Sequence, residues 1–128
     1  MNIVLDTSVF IARESGRRLA ALPDEAATAI SVITVAELRL GVLVAGDPGI
    51  RATRLATLEV ATRHHMPLPV DEQVADQFAR LVAQLRMAGR NPRVLDTLIA
   101  ATALAHEAAV ATQDDDFDEL PGLTVLKV

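Results

Sequence analysis

Four carboxylates, Asp6, Glu37, Asp96 and Asp114, interrupt apolar surroundings and are the residues of this sequence best placed to do chemistry. Asp6 follows the run Ile3-Val4-Leu5, and Asp114 follows Ala109–Thr112 within Thr112-Gln113-Asp114-Asp115-Asp116-Phe117. Both runs read as buried strands, and ligands of parallel α/β sheets collect beyond the carboxyl ends of such strands. Taken singly, Asp6 also reads as a helix N-cap and Asp114 as a turn residue. At helical spacing Glu37 shares a stripe with Ile33, Leu40, Gly41 and Val44, and Asp96 shares one with Ile99, Ala100 and Ala103. Burying an ionised carboxylate is costly unless it is paired or binds a cation, so two on inward stripes point to a shared counter-ion. Glu37 has a competing reading as the third residue of a capping box opened by Thr34.

Converging acids without a cation repel and raise one another's pKa. Lysine offers little relief, since Lys127 is the single one among 12 basic residues and lies one residue from the last. A divalent ion resolves the repulsion. Oxygen-only ligands suit Mg²⁺ or Mn²⁺, which take one or two carboxylates each and keep waters for a substrate phosphate. One or two such ions can activate water and stabilise the leaving oxygen of a phosphodiester. The inventory therefore predicts metal-dependent phosphodiester hydrolysis.

Other chemistries lack their parts. The sequence has no G-x-S-x-G elbow, no Gly-rich nucleotide loop and no H-E-x-x-H among His64, His65 and His106. Absence of Cys removes disulfides, thiolate zinc sites and cysteine nucleophiles. A phospho-accepting receiver domain would need a lysine at the acidic pocket, and Lys127 reads as a poor candidate for it.

Alternating short strands and helices must position the acids. Strands are expected at Ile3–Leu5, Ala29–Val32, Pro67–Val70, Ala109–Thr112 and Leu123–Leu126. Helices are expected from Thr7, from the Thr34 capping box through Val44, over Ile50–His64, from an Asp71 cap to Met87, and from Asn91-Pro92 to Glu107. The pattern predicts a parallel β-sheet flanked by helices on both faces, formed as a single α/β domain over residues 1–128.

Hydrophobic residues make up 51% of the 128, enough to build a core, and the formal net charge is −5. An acidic chain with Phe10, Phe78 and Phe117 as its only aromatics lacks the basic footprint and stacking platforms of general nucleic-acid binders. Any polyanion must instead meet a metal or a local basic patch. The most apolar run, Leu98–Ala105, is far short of the roughly 20 residues of a membrane span. No membrane association is expected, and with no export segment the expected compartment is the cytoplasm.

At the same residues the chain resembles the PIN-domain ribonucleases, in particular the VapC toxins of prokaryotic toxin–antitoxin pairs. The likeness rests on four segments in order: Val4-Leu5-Asp6-Thr7-Ser8, Thr34–Val42 with Glu37, Asp96–Ala103, and Thr112–Phe117. The resemblance implies a three-layer PIN-like sandwich. It also implies an acidic quartet of Asp6, Glu37, Asp96 and Asp114 holding Mg²⁺ or Mn²⁺, with Asp116 as auxiliary ligand. Ser8 and Thr112 are similar to the hydroxyl residues supporting that pocket in the family. Within Asp114-Asp115-Asp116 a shift of ligand by two residues remains open at this level. The resemblance further implies an RNA substrate, a homodimer, and a cognate antitoxin whose C-terminal segment covers the acidic groove. Arg39, Arg90 and Arg93 lie near quartet members in sequence and are candidates for RNA phosphate contacts, or else solvated helix-surface charges. The alternative function is a catalytically inactive PIN-like scaffold that binds proteins, against which the complete set of four acids speaks.

Overall fold

A computed structural model describes residues 1–128. In chain order the elements are β1 (Asn2–Leu5), α1 (Thr7–Glu14), β2 (Ala27–Ser31), α2 (Val32–Val44), α3 (Pro48–His64), β3 (Pro67–Leu68), α4 (Glu72–Met87), α5 (Val94–Ala105), β4 (Ala109–Thr112) and β5 (Val125–Lys127). The five strands form one parallel sheet in the order β3-β2-β1-β4-β5. Helical crossovers link β1 to β2, β2 to β3 and β3 to β4, which is the usual route to parallel pairing, while β5 reaches β4 through the loop of residues 113–124.

Because strand side chains alternate between faces, β1 serves both layers. Ile3 and Leu5 join Ile30, Ala111, Phe10, Leu38, Val42 and Leu58, so α1, α2 and α3 cover one face. Val4 and Val110 join Val74, Leu81, Ile99 and Phe117, so α4 and α5 cover the other. These are the three layers expected from the sequence, and no helix is long and apolar enough to cross a membrane.

The strand order reverses direction between β1 and β4, which makes their carboxyl ends the place where a crevice opens. Leu5 pairs with Ala111. The next residues, Asp6 and Thr112, are therefore held side by side, with the Asp6 amide donating to the Ala111 carbonyl at 2.9 Å.

Several boundaries differ from expectation, each for a local reason. The capping box does not form: α2 begins directly from β2, where the Ser31 hydroxyl accepts the Ile33 amide at 3.0 Å. Thr34 then falls in the first turn of α2 and is buried, and Glu37 lies in the helix interior, so its capping reading is overturned. Asp47 caps α3 with Pro48 in its first turn, two residues ahead of Ile50. Helix α5 starts at Val94 with Asn91-Pro92 outside it, because Arg93 at its N-cap keeps an extended backbone. β3 ends at Leu68, since Pro69 has no amide for the ladder. β2 and β5 are displaced toward Ala27 and Lys127 respectively.

Candidate functional site

Asp6, Thr7, Ser8, Ile11, Arg17, Glu37, Asp96 and Asp114 line one cleft of about 200 Å³ beyond the ends of β1 and β4. The four acids come from four elements. Asp6 follows β1 as the cap of α1, Glu37 projects from α2, Asp96 from the first turn of α5, and Asp114 from the loop after β4.

Asp6 is 2% exposed and also caps α1, accepting the Ser8 amide at 3.4 Å. The capping reading of this residue therefore holds, and the same side chain lines the cleft. Thr112 Oγ1 donates to the same oxygen, Oδ2, at 2.9 Å, which leaves Oδ1 without a hydrogen-bond partner in the protein. Ser8 and Thr112 lie 3.2 Å apart through their hydroxyls and support the loop after β4. The Ser8 hydroxyl accepts the Gln113 amide and Thr112 Oγ1 accepts the Asp114 amide, each at 3.0 Å. One hydroxyl pair thus fixes Asp6 and the backbone that carries Asp114.

Thr7 was not singled out by the sequence, although it stands inside Asp6-Thr7-Ser8. Its Oγ1 donates to Glu37 Oε1 at 2.8 Å and lies 3.0 Å from Thr34 Oγ1. A hydroxyl has one proton, and the carboxylate is the stronger acceptor. Thr7 therefore orients Glu37 from across the cleft.

The electrostatics are those of acids crowded in a half-buried place. Burial raises the Glu37 pKa, the Thr7 hydrogen bond opposes it, and repulsion from Asp6 and Asp114 adds to the rise. Asp96 is pushed up to about 6 by burial first, then by Asp6, Asp116 and Glu37, with Arg93 opposing. Asp114 is raised by burial, then by Asp6 and Asp116, against the pull of Lys127 and Arg17.

Asp116 does not line this cleft. It borders an adjoining one of about 210 Å³, which Asp96 shares together with Arg90 and Arg93. Asp116 pairs with Arg93 at 3.5 Å and Arg90 pairs with Glu119. Arg39 is exposed and lines neither cleft, because two residues along a helix turn it some 200° away from Glu37. Lys127 corrects an expectation: parallel pairing of β5 with β4 brings it to the acidic loop. Its ammonium donates to the Asp114 carbonyl and pairs with Asp115 at 2.6 Å and Asp118 at 3.2 Å. Nothing in the local sequence signalled this, since it depends on a strand pairing.

The donor set fits a hard divalent cation. It is all oxygen, carries up to four negative charges, and relieves its own repulsion on binding one. No three of these acids are drawn close enough together to form a coordination sphere as they stand.

Residues 3–123 match the PIN domain family. The chain is 50% identical over 127 residues to ribonuclease VapC5 of Mycobacterium tuberculosis, covering 98% of this chain and 92% of that protein. It is 44% identical to ribonuclease VapC4 of the same organism, covering 96% and 94%. Among solved structures it is similar to a member of the VapBC family of toxin–antitoxin systems, VapBC-5 from M. tuberculosis. That likeness has a TM-score of 0.82 and 42% identity, covering 99% of this chain and 98% of that one.

Proposed function

Because the chain belongs to the PIN domain family, in its VapC ribonuclease branch, we propose that Asp6, Glu37, Asp96 and Asp114 hold Mg²⁺ or Mn²⁺ and hydrolyse RNA phosphodiester bonds. The observation that carries this reading is the convergence of four acids from four elements on one cleft at the sheet's switch point. A hard divalent ion bound there supplies Lewis acidity toward water and neutralises charge on the phosphate. The chain's own residues prepare that step. Thr112 and Ser8 fix Asp6 and the Asp114 loop, Thr7 orients Glu37, and Asp96 reaches both clefts. In the reaction water attacks phosphorus, the bridging P–O bond breaks, and the leaving oxygen takes up a proton.

Asp116 is the auxiliary acid of this reading, placed beside Asp96 and held by Arg93. Arg90 and Arg93, which line the adjoining cleft in ion pairs with Glu119 and Asp116, are this reading's phosphate contacts there, made by exchanging those carboxylates for RNA phosphate. The chain works as one domain over 1–128, and an RNA substrate sets its work in the cytoplasm. Its partner is a cognate antitoxin protein, supported by the likeness to a VapBC complex, and it pairs as a homodimer. An inactive scaffold would have no use for a complete acidic quartet.

The direct test is incubation of the purified protein with total RNA in Mn²⁺ and in chelator. Cleavage in Mn²⁺ that stops in chelator and returns with added Mg²⁺ or Mn²⁺ is expected; cleavage surviving exhaustive chelation would sink the metal mechanism. Thr7→Val gives a finer check. It keeps side-chain volume but removes the donor that lowers the Glu37 pKa. The acid limb of the rate profile should move to higher pH. Outer partners of metal ligands typically cost 10–100-fold, so cleavage should fall by about that factor. An unchanged profile would mean that Thr7 does not orient a working Glu37.

A further inference from the structure

Arg17 lines the same cleft as Asp6, Glu37, Asp96 and Asp114, and it is the one cation there. Its aim is set by the end of α1. The Gly16 amide donates to the Arg13 carbonyl at 3.1 Å, and the Arg17 amide donates to the Ala12 carbonyl at 2.9 Å. This is the pair of bonds that closes a helix through a left-handed residue, and Gly16 supplies it with φ of 73°. Glycine is needed there because a side chain would be strained at that φ. The chain consequently reverses direction and delivers Arg17 to the cleft.

The other cations beside the acids are engaged. Arg93 pairs with Asp116, Arg90 with Glu119, and Lys127 with Asp115 and Asp118, while Arg54 donates to the Gly41 carbonyl at 2.7 Å. Arg17 is exposed and makes no ion pair. Resting on the ribonuclease reading above, we propose that Arg17 binds a backbone phosphate of the RNA at the rim of the acidic cleft. A chain of net charge −5 must bring a polyanion to its most negative crevice, so the approach needs a local positive group. Guanidinium suits the task because its planar fork can take two phosphate oxygens at once. The rival is a purely structural role, in which Arg17 only relieves repulsion at Asp114.

Salt dependence separates the two roles. Binding of a fluorescent single-stranded RNA to Asp96→Asn protein, which should not cleave it, is measured in Mg²⁺ from 50 to 200 mM salt with Arg17 intact and with Arg17→Ala. Each phosphate contact to a single strand contributes about 0.7 to the slope of log affinity against log salt. Arg17→Ala should make the slope shallower by about 0.7, and Arg17→Lys, which keeps the charge, should restore it. In the otherwise wild-type protein Arg17→Ala should raise KM several-fold with kcat little changed. The exposed side chain makes no bond in the fold, so melting should hardly move. RNA bound with an unmoved slope and an unmoved KM overturns the phosphate contact alone. RNA neither bound by the Asp96→Asn parent nor cleaved by the wild type overturns the ribonuclease reading, and the contact with it.

Discussion

Asp96→Asn is expected to lower RNA cleavage by at least about 100-fold while making the metal-free protein more stable at pH 7. The first half follows from position. Asp96 is the one acid common to both clefts, and loss of a direct ligand should exceed the 10–100-fold cost of losing an outer partner. The second half follows from electrostatics. Its carboxylate gains no hydrogen bond from the fold, whereas burial and the charges of Asp6, Asp116 and Glu37 all disfavour its ionised form. A folded-state pKa of about 6 against an ordinary 3.8 means that the folded protein holds this proton more tightly than the unfolded chain. Ionised Asp96 is therefore destabilising, fully so above about pH 6. The penalty is relieved as pH falls through 6 and is gone below about 3.8. With a side chain half open to water the effect is about 1 to 2 kcal/mol, discounted from the roughly 3 kcal/mol that a rise from 3.8 to about 6 carries at about 1.36 kcal/mol per pKa unit. Metal-free wild type should thus gain stability from pH 7 to pH 5, and Asp96→Asn should remove much of that gain. Melting curves at both pH values check it. A variant that is less stable than wild type at pH 7, or one that still cleaves normally, would contradict the assignment.

Adding Mn²⁺ to chelated wild-type protein should raise its melting temperature by roughly 10 °C. A ligand present at a hundred times its dissociation constant stabilises by about 2.7 kcal/mol. For a chain of 128 residues each kcal/mol corresponds to a few degrees. Here the ion also removes the repulsion that raises Glu37, Asp96 and Asp114, so the shift should grow as pH rises and these groups ionise. The same titration on Asp6→Asn should give a much smaller shift. Asp6 is the most buried of the four and lines the cleft with Oδ1 unbonded while Oδ2 is held by Thr112. Equal shifts in the two proteins would place the ion elsewhere on the surface.

The site was legible where a residue's chemistry clashed with its immediate neighbours. Asp6 and Asp114 follow apolar strands, and Glu37 and Asp96 break apolar stripes, so each carries its own local signal. The layered parallel sheet was legible for the same reason, because strand and helix periods alternate along the chain. What sequence could not show depends on contacts between distant segments. Lys127 reaches Asp114 only because β5 pairs in parallel with β4, and Thr7 finds Glu37 only because α1 and α2 start from neighbouring strands. Proximity in sequence also misled. Arg39 is two residues from Glu37 yet on another side of the helix, whereas Arg17 is eleven residues from Asp6 and shares its cleft. The capping box failed because Thr34 matched a spacing already served by Ser31.

The two walls of the cleft differ in how they are anchored, and amide hydrogen exchange would distinguish them. Asp6 directly follows the central strand β1, which is paired on both sides and covered on both faces, and its amide donates to the Ala111 carbonyl, so that amide should exchange only through near-global unfolding. Residues 114–118 belong to no strand. They are held by the Thr112 hydroxyl on the Asp114 amide, by exposed, salt-sensitive pairs of Lys127 with Asp115 and Asp118 and of Arg93 with Asp116, and by Phe117 as the single deeply buried peg. Opening that wall should cost less than unfolding the sheet. The cleft thus has one jaw whose position is fixed by the global stability of the fold, and one that can yield to whatever is bound between them.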